Sequence, residues 1–404
     1  MEENYAFWVD WLFSRFPAYQ NVGAQAYKPG LERVLTLLHA LQIDHKKIPC
    51  IHIAGTNGKG STAAYCASLL SEKGLRVGLF TSPHIFDFSE RIRVNGEPIS
   101  EAFVIAFCNR FRTLALDIDA SFFELTFAMA LDYFLQQHCT YLVIETGLGG
   151  RLDATNVMEP KVSIITNIAM DHQAFLGDTL QEIATEKAGI IKAKTPVVIG
   201  EKNALTQGIF IEKSNAVSAP VYFSADFDWK HESLPLLGYQ KSNFKTALLA
   251  LKALDFEFNE GQIKSALLHL KENTGFFGRL QVISKAPTIV LDVSHNPAGI
   301  LATLPLIVEQ VKGKLYILYG ASKDKDAAEI LELFPKDAHI AACVFSNPRS
   351  KTIEDWKALG LKTIYSDLTQ ALNDIEKQLE KQDLLWITGS FFLLTDLPEQ
   401  KKIF

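Results

Sequence analysis

Residues 55–61 read Gly-Thr-Asn-Gly-Lys-Gly-Ser and directly follow an apolar run over 48–54. A strand that enters a glycine-rich turn, then a lysine, then a helix is how a chain cradles nucleotide phosphates. Glycines let backbone N–H groups close on phosphate oxygens, Lys59 adds a point charge, and the next helix presents its positive end. The spacing departs from the common Gly-x-x-x-x-Gly-Lys-Ser/Thr pattern. Ile53 stands where the first glycine belongs, and Gly60 separates Lys59 from Ser61. A plain tight strand-to-helix turn is the competing reading.

The rest of the chain fits that turn into a layered α/β protein. Short β-branched runs over 48–54, 77–81, 141–145, 162–167 and 196–200 alternate with helical patterns over 61–73, 101–116, 124–137 and 180–192. Two further helical stretches, 242–254 and 261–270, precede a break near 275–287. Alternation then resumes, with strands expected over 288–292, 315–319, 341–345, 363–365 and 384–388 and helices over 298–311, 326–334 and 368–381. This is the signature of parallel sheets with crossover helices. The expected fold is a P-loop-type, mostly parallel N-terminal domain over 1–285 and a smaller Rossmann-like α/β domain over 286–404. Apolar spacing over 5–13 and 31–41 predicts packed helices before the turn.

Bulk properties exclude several function classes. A net charge of −6 disfavours a general nucleic-acid binder. Cys50, Cys66, Cys108, Cys139 and Cys343 lack C-x-x-C spacing and read as buried thiols of a reducing compartment. The acidic first residues do not resemble a signal peptide. No apolar stretch approaches the roughly 20 residues of a membrane span. A cytoplasmic monomer acting on small molecules, with no membrane or nucleic-acid partner, is expected.

In open parallel sheets, ligands bind beyond the carboxyl ends of the strands. Separate expected strands deliver Lys59, Ser82, Glu145, His172 and Asp292 to such ends. Glu145 and Ser82 suit Mg²⁺, which prefers oxygen and shares phosphate ligands. His172 suits a metal or a proton. The bland readings are a helix cap for Glu145, a packed ring for His172 and surface ion pairs for Arg151 and Lys192. Glycines at 147, 149 and 150 mark a loop that approaches a ligand closely, or else a tight turn.

Taken together, these motifs resemble one family: folylpolyglutamate synthase/dihydrofolate synthase, within the Mur-ligase-like ATP-dependent amide ligases. The resemblance rests on 55–61, Ser-Pro-His at 82–84, Glu-Arg-Ile-Arg-Val-Asn-Gly at 90–96 and Phe-Glu at 123–124. It continues through Glu-Thr-Gly-Leu-Gly-Gly-Arg-Leu-Asp-Ala-Thr-Asn at 145–156, Asp-His at 171–172 and Glu-Lys-Ala-Gly-Ile-Ile-Lys at 186–192. Gly-Arg-Leu-Gln at 278–281, Asp-Val-Ser-His-Asn-Pro at 292–297 and Gly-Ser-Phe at 389–391 complete it.

The resemblance implies ATP-dependent joining of L-glutamate to a pterin or folate carboxylate through an acyl phosphate, with two Mg²⁺ ions. Asn57, Gly58, Lys59, Gly60 and Ser61 are then the phosphate loop. Ser82 and Glu145 bind the first Mg²⁺, and His172 the second. Lys187 matches a lysine that the family carries as its carbamate, a further metal ligand. Asn243, Arg279 and Asp292 are implied ATP contacts from the distal side of a cleft between domains, so closure is expected in the cycle. Phe123, Glu124, Leu152, Asp153 and Ala154 match pterin contacts. His295 and Asn296 position glutamate or phosphate. Lys59, His172, Lys187 and His295 are thus the candidate catalytic residues. Resemblance to bacterial bifunctional members implies both synthase activities.

Three alternatives stand beside this reading. A monofunctional folylpolyglutamate synthase shares the motifs. A peptidoglycan-precursor ligase of the same superfamily carries an extra domain before the loop, for which residues 1–54 are too few. A P-loop nucleotide switch would carry an Asp-x-x-Gly motif after a strand. Residues 202–237 match no family motif.

Overall fold

The computed structural model describes residues 3–16, 28–231 and 233–401. The chain divides into two compact units, Met1–Phe276 and Phe277–Phe404. The first is built on eight strands: β1 (Cys50–Ala54), β2 (Val77–Phe80), β3 (Ile92–Val94), β4 (Glu97–Pro98), β5 (Tyr141–Glu145), β6 (Val162–Ile165), β7 (Val197–Ile199) and β8 (Val221–Phe223). Their spatial order is β4-β3-β2-β5-β1-β6-β7-β8. The run from β2 to β8 is parallel, while β3 and β4 add an antiparallel edge.

β1 lies between β5 and β6 with all five residues buried. A strand covered on both faces needs no polar alternation, so it reads as a nearly unbroken apolar run. Cys50 faces a core with Phe127, Phe134 and Ile144, whereas Ile51 and Ile53 face one with Tyr65, Leu69 and Phe244. The helix Phe122–Gln136 covers the first face, held at its start by a Ser121–Glu124 capping box. Helices Tyr5–Arg15 and Glu32–Ala40 add Trp8, Leu12, Val34 and Leu37 to that core.

Segment 202–237, featureless in sequence, forms the helix Gln207–Ala216 and β8. The short strands β3, β4 and β8 carry too few residues for a period-2 pattern to register.

The second unit holds β9 (Gln281–Lys285), β10 (Thr288–Leu291), β11 (Leu315–Tyr319), β12 (His339–Cys343), β13 (Ile364–Tyr365) and β14 (Leu384–Thr388), ordered β13-β12-β11-β14-β10-β9. Only β9 is antiparallel. The break between units precedes the 285/286 boundary of the sequence reading because β9 pairs with β10 and so belongs to the second sheet. Trp356, Trp386 and Tyr319 fill this unit's core. All five cysteines are free and buried. Among the described residues, no helix is long and apolar enough to cross a membrane.

Candidate active site

The turn after β1 is shaped by two glycines. Gly58 has φ +83° and caps the helix Lys59–Ser71, a left-handed position that disfavours any side chain. A Cβ on Gly55 would fall 1.8 Å from Thr166 Oγ1, so the turn and the end of β6 could not approach as they do. Thr166 and Asn167 anchor the loop. Thr166 Oγ1 donates to the Asn57 carbonyl at 2.6 Å, the Asn57 amide donates to Asn167 Oδ1 at 2.8 Å, and the Thr56 amide donates to the Asn167 carbonyl at 2.9 Å. Lys59 Nζ lies over the loop, donating to the Gly55 and Thr56 carbonyls at 3.2 Å each. The first turn of the helix carries no acidic residue, so its positive end is uncompensated from within. Gly60 and the buried Ser61 lie in that turn.

Parallel pairing of β2 with β5 brings Ser82 beside Glu145. The Glu145 side chain is buried, and its Oε2 accepts the Ser82 amide at 3.0 Å. A Cβ on Gly60 would sit 3.5 Å from the same oxygen, which places the carboxylate against the start of the phosphate-loop helix. Arg91 adds a nearby positive charge. Burial pulls its guanidinium down to about 10, opposed by Glu90 and Glu145. Among the described residues, no three His, Cys, Asp or Glu side chains gather as a metal cage. One buried carboxylate beside a serine is an oxygen donor set that would suit Mg²⁺ completed by phosphate oxygens and water.

His172 follows β6 on the loop that anchors the phosphate turn, with Ala169 N–H donating to Thr56 Oγ1 at 3.1 Å. It has φ +53°, and its Nε2 lies 3.9 Å from Asp171 Oδ1.

Lys187 sits in the last turn of the helix Leu180–Ala188, buried, with Nζ donating to the Gly55 carbonyl at 2.8 Å. Two lysines thus share the Gly55 carbonyl. Burial and then the Lys59 charge push the Lys187 amine down to about 7, against the pull of Asp171 and Asp153. The glycine-rich loop sets this placement. A Cβ on Gly150 would meet the Glu186 carbonyl at 2.8 Å and Lys187 Cα at 3.0 Å. Arg151 locks the contact, its amide donating to the Glu186 carbonyl and its guanidinium to Glu186 Oε1, both at 2.8 Å. Gly150→Ala is expected to destabilise the protein by about 1–3 kcal/mol in urea unfolding and to lower activity by displacing Lys187. Unchanged stability would show that the loop and helix can move apart freely.

The residues matched to a pterin site are held in different ways. The Phe123 ring packs where a Gly147 side chain would be, and lies 5.6 Å from the Phe80 ring. Glu124 closes the helix cap by accepting the Ser121 amide at 2.7 Å, and pairs with Arg33 Nε at 3.2 Å. Asp153 accepts the Leu148 and Thr155 amides at 2.8 and 3.0 Å. Ala154 is buried in the core, and the Leu152 carbonyl accepts the Gly30 amide at 3.5 Å.

Asn243, expected on the distal side, belongs to the first unit. Its Oδ1 lies 2.5 Å from where a Gly58 Cβ would stand, so it borders the phosphate loop. In the second unit, buried Asp292 follows β10 and accepts the Leu280 and Ser294 amides at 2.9 Å each. The Arg279 guanidinium lies 4.7 Å from the Phe391 ring centroid, and the His295 ring 5.9 Å from it. Asn296 caps the helix Pro297–Val308. The anchoring pair Thr166 and Asn167 belongs to no motif in the sequence. Their only signal was polarity at the end of an apolar run.

The turn after β1, the buried carboxylate at its helix and the buried lysine on its carbonyl lie in a chain whose two units match domains of one enzyme class, the Mur ligases. Residues 53–262 match the Mur ligase middle domain, and residues 278–391 the Mur ligase glutamate ligase domain. The dihydrofolate synthase/folylpolyglutamate synthase of Bacillus subtilis (strain 168) is 32% identical, with 96% of this chain and 100% of the relative covered. The bifunctional folylpolyglutamate synthase/dihydrofolate synthase of Yersinia pestis, solved with AMPPNP and Mn, superposes with a TM-score of 0.85 at 28% identity, covering 98% of this chain and 97% of that one. E. coli FolC in complex with DHPP and ADP gives 0.85 at 28% identity, covering 98% and 96%. The chain belongs to the folylpolyglutamate synthase/dihydrofolate synthase family.

Proposed function

We propose that this protein is an ATP-dependent acid–amino-acid ligase that adds L-glutamate to a pterin or folate carboxylate. The observation that carries this reading is the pairing of Lys59 and Lys187 on the Gly55 carbonyl, next to the helix turn that borders Glu145. A free carboxylate is a poor electrophile, and phosphorylation gives it a leaving group. The acceptor carboxylate takes the γ-phosphoryl group, and the glutamate amine then displaces phosphate, losing a proton as the amide forms.

Residues 57–61 and Lys59 cradle the phosphates, with Asn243 bordering them. Ser82 and Glu145 would hold Mg²⁺, which would offset the crowding of anions during phosphoryl transfer. His172 and a carbamylated Lys187 supply ligands for a second ion. A buried amine with a lowered pKa supports that role, because only the neutral amine adds CO₂. In the second unit, Arg279 and Asp292 are the residues matched to nucleotide contacts, and His295 is matched to glutamate or phosphate. Phe123, Glu124 and residues 152–154 form the acceptor's pterin side. The protein works as a cytoplasmic monomer.

Incubation with ATP, Mg²⁺, glutamate and either dihydropteroate or tetrahydrofolate, read by mass, tests this reading. One glutamyl addition to the first acceptor and successive additions to the second are expected. Extension of tetrahydrofolate alone would leave a monofunctional enzyme. ATP hydrolysis without glutamate dependence would overturn the ligase reading.

A further inference from the structure

β1 carries an ionisable side chain at its centre. His52 is fully buried, and its Nε2 lies 2.8 Å from Thr155 Oγ1. Thr155 Oγ1 donates in turn to Asp153 Oδ1, and Asp153 Oδ2 accepts the Leu148 amide at 2.8 Å. Because the Thr155 proton goes to the carboxylate, the hydroxyl accepts from His52, which must carry its proton on Nε2. Burial pushes the imidazole down to about 3, so the ring stays neutral. His52 Nδ1 is buried with no hydrogen-bond partner among the described residues. An unpartnered buried acceptor is unfavourable, and an aliphatic residue would serve this strand's core better.

The chain of bonds joins two loops of the site. β1 leads directly into the phosphate turn, and the ladders to β5 and β6 fix the His52 backbone. Thr155, Asp153 and Leu148 belong to the loop that leaves Glu145 and packs Gly150 on Lys187. We propose that His52 is a positioning residue that, through Thr155 and Asp153, holds the 146–156 loop in register with the phosphate turn and so orients the acceptor. This inference rests on the ligase reading above. Small displacements of an acceptor relative to ATP have large kinetic consequences.

The test compares His52→Leu, His52→Gln and Thr155→Val in the full chain, with separate KM values for ATP and acceptor and thermal midpoints. His52→Leu and Thr155→Val are expected to raise the acceptor KM about tenfold while leaving the ATP KM unchanged, the scale of one lost buried hydrogen bond. The double variant should be no worse than the poorer single one. His52→Gln, which restores an N–H donor, should recover most of the loss. Nitrogen-15 NMR of the unaltered protein should show a neutral ring protonated on Nε2. Equal shifts of both KM values that track lost stability would overturn the inference, as would unchanged kinetics of Thr155→Val, which preserves side-chain volume if His52→Leu fails to fold. No glutamate-dependent turnover by the unaltered protein would overturn the ligase reading instead, and the positioning role with it.

Discussion

Lys187→Met is expected to lower glutamate-dependent phosphate release by about 10³-fold, the scale of losing one preorganised charge contact in phosphoryl or acyl transfer. The same variant should be more stable than the unaltered protein at neutral pH in metal-free, CO₂-free buffer. The folded amine sits at about 7 against an ordinary 10.5. Between those values the unfolded chain holds a proton that the folded chain lacks, so the lysine-bearing protein gains stability as pH rises through this window. Below pH 7 the full penalty of the buried amine applies, on the order of a few kcal/mol. Lys187→Met removes that slope, and its advantage should shrink as pH approaches 10. Unfolding midpoints across the window check this. Lys187→Ala with added acetate or formate should regain part of the activity, because a small carboxylate can stand where the carbamate would. Retained activity in Lys187→Met would remove the lysine from the chemistry.

Glu145→Gln is expected to lower kcat by about 10²–10³-fold and to raise the Mg²⁺ concentration needed for half-maximal rate. The amide keeps an oxygen for the Ser82 N–H bond, so the fold around β2 and β5 stays intact. What changes is the charge beside the helix start. A Mg²⁺ titration of initial rates separates the outcomes: the same half-saturation as the unaltered protein would leave Glu145 a structural residue.

The sequence marks the segments that carry the candidate residues more clearly than it marks their contacts. The 55–61 turn stands out because glycine best suits a left-handed cap such as Gly58, and because β1 is covered on both faces. Residues 145–156 stand out by glycine density, yet the reason is hidden. Gly150 is required by backbone of the helix bearing Lys187, a contact between segments distant in sequence. Asn243 is expected across the cleft rather than beside Gly58 because residues 202–237 offer no motif to orient the helix Gly238–Lys252. Glu124 and Asp153 are marked only by the Phe-Glu and Leu-Asp-Ala stretches that resemble the family, and that resemblance does not show them accepting backbone amides. Such bonds depend on side-chain direction, which spacing does not report. β9 goes unseen because its residues are half exposed and its pairing with β10 shifts register near Ile289 and Val290.

The sheet borders carry a consequence for how this protein behaves at high concentration. A free strand border can recruit a neighbouring chain and seed fibrils. Here β4 and β13 have two residues each and β8 has three, while the five-residue β9 is kinked by its irregular pairing. Pro98 also removes an amide donor from β4. Each border is too short or too bent to template another strand, so crowded solutions of the folded chain should stay clear of cross-β assembly.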